Sequence, residues 1–191
     1  PISIAGYDAG RKGLRLIVQR VGRGTRALTE MKPGETTKLL APLGNPFPLP
    51  ASDETLSESG IWLVGGGIGV APLLYLGQAF AGKSGASGGL RSFVGFRDES
   101  LVFGVSELER CGRVDFSIGG FVTDLLLEAL ECERPSVIYA CGPEAFLRSL
   151  QAICAERELR TYASLEEHMG CGLGACLVCN CKVRTQGDYE Y

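Results

Sequence analysis

The sequence predicts an α/β fold built on a doubly wound parallel sheet. Between residues 60 and 160, short apolar runs alternate with helical patterns, and alternating strand–helix units form a parallel sheet covered on both faces. A glycine-rich turn follows the first of these runs, and four of the eight cysteines lie within eleven residues near the end of the chain. We therefore expect three regions: a partial β domain at 1–51, an α/β domain at 52–160 and a metal-binding segment at 161–191.

The composition is ordinary for a globular protein and excludes several classes of function. Of the 191 residues, 45% are hydrophobic and 21% are charged, and the formal net charge is −3. An acidic chain without a basic face is a poor partner for nucleic acid, and no apolar run is long enough to span a bilayer. The crowded cysteines favour a metal centre in the reducing cytoplasm over a secreted disulfide framework.

The first region alternates short apolar runs with turns. Residues 14–21 are predicted to be a strand, and residues 32–35 a turn. Gly24 and Thr25 could offer a backbone N–H and a hydroxyl to a phosphate, but the pattern alone favours a plain hairpin turn there. Residues 51–59 are polar and are predicted to be a linker.

The second region predicts four strands, each followed by a helix. The strands are expected at 61–64, 91–96, 114–118 and 137–140, and the helices from the glycine turn to about residue 80, then at 101–110, 123–132 and 143–157. Thr123 is the expected N-cap of the third helix, and Pro143 is expected in the first turn of the fourth. Residues 83–89 are predicted to be a surface loop.

Two turns of the predicted sheet carry glycine where strand gives way to helix. Residues 65–69 read Gly-Gly-Gly-Ile-Gly after the first strand, and residues 141–143 read Cys-Gly-Pro after the last. Glycine lets the backbone approach a diphosphate, which a helix N-terminus then binds. Each turn could equally be an ordinary tight turn, but the first follows strand one of a parallel sheet, which favours a nucleotide site.

Residues 171–179 carry the most specific signal, because Cys171, Cys176 and Cys179 follow the Cys-x₄-Cys-x₂-Cys spacing of a plant-type [2Fe–2S] loop. Three thiolates must converge on one cluster, so the chain has to loop around it. Gly172 and Gly174 permit that path. Structural zinc or inert buried thiols are the alternative, but zinc motifs usually pair two distant Cys-x-x-Cys units.

The fourth cluster ligand is not evident. Cys181 follows Cys179 too closely for the ferredoxin pattern, so we expect it to be a bystander. His168, which is the only histidine, is expected to have a surface or packing role. The chain starts at Pro1 and stops at Tyr191 before another cysteine, which we interpret as a fragment cut at both ends.

Taken in order, these motifs resemble the electron-transfer subunits of NAD-linked dihydroorotate dehydrogenases, which are ferredoxin-reductase-like flavoproteins. The segments that carry the resemblance are 1–3 (PIS), 24–25 (GT), 42–45 (PLGN), 65–69 (GGGIG), 122–125 (VTDL), 141–143 (CGP) and 167–176 (EHMGCGLGAC). The resemblance covers essentially the whole chain. It implies a partial FAD-binding β-barrel, a nicotinamide-nucleotide domain and an incomplete [2Fe–2S] segment.

The resemblance also assigns site residues. Expected FAD contacts are Pro1, Ile2, Ser3, Ile17, Val18, Gln19, Gly24 and Thr25. Expected NAD contacts are Gly65, Gly66, Gly67, Gly69, Cys141, Gly142 and Pro143, and expected cluster ligands are Cys171, Cys176 and Cys179. The family's arginine before Pro1 is absent, and Pro46 stands where the family has glycine.

The implied function is electron transfer from a catalytic, FMN-containing dihydroorotate dehydrogenase subunit through [2Fe–2S] and FAD to NAD⁺, in a heterotetramer and without acid–base residues of this chain. The alternatives are a reductase subunit for ferredoxin:NADP or sulfide chemistry, and a nucleotide-sensing zinc module. Asp98 and Glu99 after the second strand favour NAD, since an acid can hold a ribose hydroxyl, whereas Arg97 would suit the extra phosphate of NADP.

Overall fold

The computed structural model describes residues 2–41, 43–49, 60–81 and 89–181, together with the backbone of 183–184 and 189–190. A five-stranded parallel sheet forms its centre, in the order β5-β4-β3-β6-β7. The five strands are β3 (Ile61–Gly66), β4 (Leu90–Phe96), β5 (Arg113–Ile118), β6 (Val137–Cys141) and β7 (Thr161–Ser164). Two antiparallel pairs accompany it, β1 (Ile4–Asp8) with β2 (Gly13–Leu16) and β8 (Val183–Arg184) with β9 (Tyr189–Glu190).

Strand β3 is the centre of the core because both of its faces are covered. All six of its residues are buried, as expected for an inner strand of a parallel sheet. Ile61 and Leu63 pack into the hydrophobic cluster on one face, and Trp62 and Val64 into the cluster on the other. The two-residue period of the strand sends alternate side chains to opposite faces, so one short apolar run supplies both cores.

In the described residues, five α-helices accompany the strands. They are α1 (Arg23–Thr29), α2 (Val70–Ala81), α3 (Val105–Glu109), α4 (Val122–Leu130) and α5 (Glu144–Glu156). Helix α2 packs into the cluster that contains Leu63, whereas α4 and α5 pack into the cluster that contains Trp62. The sheet is therefore doubly wound, and the predicted fold class is confirmed.

Several predicted elements have different bounds. The strand predicted at 14–21 ends at Leu16, because β1 begins at Ile4 opposite Leu16 and the described residues offer no further strand to pair with. The helix predicted at 101–110 is shortened to Val105–Glu109, because Gly104 at φ +74° interrupts the chain after a 3₁₀ turn at Glu99–Leu101. Residues 161–164, predicted to begin the cysteine segment, instead form the edge strand β7.

Helix starts also differ from the predictions. The hairpin turn favoured at 22–25 is wrong, since Gly22 is the N-cap of α1 and Thr25 Oγ1 accepts the Gly22 N–H at 3.0 Å. Thr123 is not an N-cap; Phe121 occupies that position and Thr123 lies inside α4. Pro143 is the N-cap of α5 rather than a residue of its first turn, and its carbonyl accepts the Leu147 N–H at 3.0 Å.

The chain divides into two compact units. One contains Ile2–Gln19 and Phe47–Ser164, and the other contains Arg20–Pro46 and Leu165–Tyr191. The first unit therefore holds the β1–β2 hairpin and the parallel sheet, and the second holds α1 and the cysteine loop. The three regions predicted from the sequence stay a prediction, and the predicted linker at 51–59 and most of the predicted loop at 83–89 lie outside the described residues.

Within the part of the chain that the structure describes, none of the helices has the length and apolar character that crossing a bilayer requires.

Arg91 at the start of β4 is the one arginine in the described core. Its guanidinium lies 4.7 Å from the Phe93 ring centroid, and it donates to Asp115 at 2.7 Å and to Glu133 at 3.0 Å. The Arg91 side chain is only 11% exposed. A buried charge of this kind is tolerated because two carboxylates and an aromatic face satisfy it.

We expect Arg91→Ala to lower the free energy of unfolding by about 2 kcal/mol, because Asp115 and Glu133 would lose their nearest cation in a partly desolvated site and keep only the longer contacts to Arg113. Urea unfolding measures this change. Arg148→Ala is the matched control, since it removes a solvent-exposed i,i+4 pair with Glu144 and should cost less than about 0.5 kcal/mol. Equal losses in the two variants would contradict the interpretation.

Candidate functional site

The carboxyl ends of β3 and β6 form the crevice of the parallel sheet. β4 and β6 pair with opposite edges of β3, so successive strands are added first on one side of β3 and then on the other. Ligands of open α/β sheets bind at such a switch point. Gly65, near the end of β3, lies opposite Cys141, the last residue of β6. The two glycine turns lie far apart along the chain but meet at one crevice, as expected for turns that follow strands of one parallel sheet.

The two turns approach so closely that side chains are excluded between them. A Cβ on Gly69 would lie 2.3 Å from the Cys141 carbonyl oxygen, and one on Gly142 would lie 3.1 Å from the Gly66 nitrogen. Gly67 is different: it has φ +54° and no atom within 4 Å of where its Cβ would be. Gly67 therefore faces open space, with the N-terminus of α2 directly behind it. That geometry suits the approach of a diphosphate to the backbone.

Cys141 and Pro143 help to form the wall of the crevice by packing. The Cys141 side chain is fully buried, and Pro143 lies beside Gly66, with its Cδ 3.2 Å from where a Gly66 Cβ would be. Phe146 in the first turn of α5 also lies against Gly66 and Gly142. Phe146 was not among the predicted site residues, although an aromatic residue three positions after Pro143 was a usable signal.

Asp98, a predicted ribose contact just after β4, already accepts hydrogen bonds within the protein. Asp98 Oδ1 accepts hydrogen bonds from the Ser100 N–H at 3.0 Å and from the Ser100 hydroxyl, so Asp98 is the N-cap of the 3₁₀ turn Glu99–Leu101. Arg97 and Glu99 are exposed at the same strand end. Selection of NAD by these side chains stays a prediction.

The predicted FAD residues of the first unit gather at one end of the β1–β2 hairpin. Ile4 pairs with Leu16, so Ile2 and Ser3 precede β1 at the end where Ile17, Val18 and Gln19 follow β2. Those predicted contacts are therefore neighbours. Pro1 lies outside the described residues.

Gly24 and Thr25 belong to the other compact unit, in α1. Thr25 Oγ1 accepts the N–H groups of Val21 and Gly22, both at 3.0 Å, and donates to the Gly22 carbonyl at 3.1 Å. The hydroxyl predicted to meet a phosphate thus caps its own helix. The flavin role of both residues stays a prediction.

The cysteine loop directs backbone N–H groups at sulfur. Leu173 N–H donates to Cys171 Sγ at 3.3 Å, and Cys171 N–H donates to Cys176 Sγ at 3.4 Å. Gly172 at φ +70° and Gly174 at φ +76° make this path possible, since other residues rarely adopt it. These donors stabilise a thiolate, and the pKa of Cys171 is lowered to about 6, first by the Leu173 N–H.

The loop fits an iron–sulfur cluster in its donors and its backbone. Cys171 and Cys176 are neighbours, and N–H donors to sulfur are the contacts that such clusters use. In the described residues, no three Cys, His or carboxylate side chains are grouped as metal ligands, so Cys179 does not join the pair in this geometry. Burial, followed by Glu167, raises the pKa of Cys181, so its environment disfavours the thiolate form.

Comparison with known proteins first defines the class. The fold matches the structure of an NADH-dependent reduced ferredoxin–NADP oxidoreductase with a TM-score of 0.79, at 24% identity, over 100% of this chain and 68% of that one. It also matches the cytochrome P450 reductase of Amycolatopsis with a TM-score of 0.66, at 25% identity, over 85% of this chain and 54% of that one. The fold is therefore that of the ferredoxin-reductase-like proteins.

Sequence relatives then identify the family. Residues 166–191 match the model for the iron–sulfur cluster binding domain of dihydroorotate dehydrogenase B. The electron transfer subunit of dihydroorotate dehydrogenase B (NAD(+)) from a Geobacillus species is 41% identical over 96% of this chain and 70% of its own length. The Shouchella clausii subunit is 39% identical over 100% of this chain and 73% of its own length. The chain belongs to the family of dihydroorotate dehydrogenase B electron transfer subunits.

We expect Gly67→Ala to weaken NADH binding by about tenfold, because the added methyl group would occupy the open space that a diphosphate needs. Titration of the purified protein with NADH measures this. Gly34→Ala is the matched control: Gly34 also has a positive φ, +91°, with nothing within 4 Å of where its Cβ would be, and it lies outside the crevice. Both variants carry a similar backbone strain, so an equal loss of binding in the two would argue against a nucleotide site at the glycine turn.

Proposed function

We propose that this chain carries electrons between a catalytic dihydroorotate dehydrogenase subunit and NAD⁺. The cysteine loop is the observation that supports this most strongly. Its spacing, its N–H donors to sulfur and its match to the cluster-binding domain occur in a chain whose sheet also has a dinucleotide-type crevice. Electron transfer is the function that joins these two features.

The bound groups supply the redox chemistry: a [2Fe–2S] cluster moves single electrons, FAD exchanges one or two, and NAD⁺ accepts a hydride. In this proposal, Cys171, Cys176 and Cys179 hold the cluster, and the loop's N–H groups stabilise the charge on its sulfur ligands. The glycine turns 65–69 and 141–143 hold the NAD diphosphate. No residue of this chain is assigned a proton-transfer role, because hydride and electron transfer require positioning rather than acid–base catalysis.

The FAD assignment depends on residues at the end of the β1–β2 hairpin. Ser3 and residues 17–19 would offer backbone and side-chain contacts to the flavin, and Gly24 with Thr25 would meet its diphosphate. Their order along the chain, and the register that makes Ser3 and Ile17 neighbours, support this assignment. We place the protein in the cytoplasm, where reducing conditions preserve the cysteine thiols.

The partner subunit would bind beside the cysteine loop. Leu173, Leu177 and Val178 of this loop are 75%, 62% and 60% exposed. Leu40 and Leu43 continue the apolar surface, since a Cβ on Gly172 would lie 3.2 Å from Leu40 Cδ2 and 3.5 Å from Leu43 Cδ1. An exposed apolar patch of this kind is typical of a protein–protein interface. In this proposal the patch lies beside the cluster, which must receive electrons, and the partner is the FMN-containing catalytic subunit of a heterotetramer.

We expect the complex of this subunit and its catalytic partner, purified without oxygen, to contain iron and flavin and to be bleached by dihydroorotate. Cys171→Ser and Cys176→Ser should each lose the cluster absorption and most of the iron, because a serine oxygen replaces a thiolate ligand. Cys132→Ser is the matched control, as Cys132 is exposed and lies outside the loop. Visible spectra and iron analysis provide the measurement.

Three outcomes would point elsewhere. A colourless protein that contains zinc would overturn the electron-transfer proposal. Bleaching by NADPH but not by dihydroorotate would indicate a reductase for another partner. Loss of iron in Cys132→Ser as well would show that the loss is not specific to the loop.

We also expect Leu173→Glu to weaken association with the catalytic subunit at least tenfold, because a charge would be buried in the proposed apolar interface. Size exclusion of the two subunits mixed at several concentrations measures this. Tyr75→Glu is the control, since Tyr75 is a 41% exposed large side chain on α2, outside the compact unit that holds the loop. If only Tyr75→Glu weakened the complex, the interface would lie on another face.

A further inference from the structure

The β1–β2 hairpin makes a charged contact that none of the predicted sites uses. Arg15 on β2 donates from Nη2 to Glu107 Oε1 on α3 at 2.9 Å, and its Nη1 donates to Oε2 of the same carboxylate. The two residues are 92 positions apart in the sequence but lie in the same compact unit. Because both guanidinium nitrogens are engaged, the pair has a single favoured orientation.

The hairpin provides space for this arginine. Gly6 on β1 lies opposite Arg15, and a Cβ there would be 3.6 Å from Arg15 Cβ and 3.8 Å from Arg15 Cδ. The side-chain amide oxygen of Gln78 on α2 lies 3.9 Å from the same position. The aliphatic part of Arg15 therefore passes over a residue without a side chain, next to α2, before its guanidinium meets Glu107.

Ile17 attaches the same stretch of chain a second time. It packs against the core cluster that contains Leu73 and Leu74 of α2 and Leu108 of α3. Through Arg15 and Ile17, residues 15–17 thus contact α2 and α3, which pack against the parallel sheet. Ile17 and the two residues that follow it, Val18 and Gln19, are among the proposed flavin contacts.

We propose that Arg15 and Glu107 are positioning residues that hold the flavin-binding end of the hairpin at a fixed place relative to the glycine turns of the nicotinamide site. This inference rests on the proposed function. In the proposed reaction, reduced FAD would give one hydride, which carries two electrons, to NAD⁺. The test uses the reverse direction, in which NADH would give the hydride to FAD and become NAD⁺, and the flavin would be reduced by two electrons. Hydride transfer requires close contact of donor and acceptor, so a displacement of about 1 Å slows it strongly.

If the ion pair served only to stabilise the fold, its loss would slow the flavin reaction only together with a loss of stability. The Arg15 side chain is 48% exposed and that of Glu107 is 24% exposed, and ion pairs at such positions contribute little to stability. Loss of the pair should therefore leave global stability nearly unchanged. A positioning role instead predicts a slower hydride step with normal binding of both cofactors.

The test uses the complete subunit in complex with its catalytic partner and loaded with FAD. Arg15→Met keeps the aliphatic stem over Gly6 and removes the charge, and Glu107→Gln removes the other charge. Arg148→Met is the matched control, since its pair with Glu144 is exposed and lies outside the hairpin. Three quantities are measured: the rate of flavin bleaching by NADH in rapid mixing, hydrogen exchange of the backbone amides 13–19, and the urea midpoint.

We expect Arg15→Met and Glu107→Gln to slow flavin bleaching by about tenfold and to speed exchange at residues 13–19. NADH affinity and the urea midpoint should stay as in the unmodified protein. The double variant Arg15→Glu with Glu107→Arg restores opposite charges in reverse order and should recover most of the rate.

Bleaching at the unmodified rate in both single variants would overturn the inference. So would a slower rate accompanied by an equally large loss of stability, or no recovery in the charge-exchanged variant. If NADH does not bleach the flavin of the unmodified protein, the proposed function fails instead. In that case, unchanged hydrogen exchange of the amides 13–19 in the two variants would separately show that the Arg15–Glu107 pair does not hold the hairpin in place.

Discussion

The constraint on which this structure depends is the contact between two glycine turns at the carboxyl end of β3. Strand β3 is buried on both faces and paired on both edges, so its end cannot shift to make room. A Cβ on Gly69 would lie 2.3 Å from a backbone oxygen of the neighbouring turn, and the chain therefore needs glycine there. The same turn leaves open space beside Gly67, just before α2 begins. A packing requirement and a binding surface thus have one cause.

The buried positive charge of the described core lies away from the glycine turns. In the part of the chain that the structure describes, the buried arginine, Arg91, lies at the amino end of β4, at the opposite end of the sheet from the crevice, where two carboxylates and two aromatic rings satisfy it. The crevice itself is formed by the two glycine turns, Pro143, the Phe146 ring and the buried Cys141 thiol. An anionic diphosphate would therefore be bound mainly by backbone dipoles, which remain in place without any counter-charge.

Much of the fold was predictable because its signals are local. The apolar run at 61–64, the glycine turn after it and the Cys-x₄-Cys-x₂-Cys spacing each express a physical need within a few residues. The features that could not be predicted depend on contacts with residues far away in the sequence. Strand β7 consists of Thr-Tyr-Ala-Ser, which becomes a strand only because β6 offers it an edge. Residues 14–21 have strand-like composition, yet the strand ends where β1 ends. The Arg15–Glu107 pair, 92 residues apart, left no local pattern to read.

The two compact units differ in what stabilises them. The unit with the parallel sheet contains the buried residues of both hydrophobic clusters, whereas no described residue of 20–46 or 165–181 is buried. A segment without a core cannot offset its conformational entropy by apolar burial alone. Its described order comes from α1 with its Thr25 cap, from the N–H donors to Cys171 and Cys176 and from the turns that glycine permits. Metal binding that replaces missing burial contributes directly to folding free energy. A metal centre held by the cysteine loop would therefore stabilise a unit that has no buried side chain among its described residues.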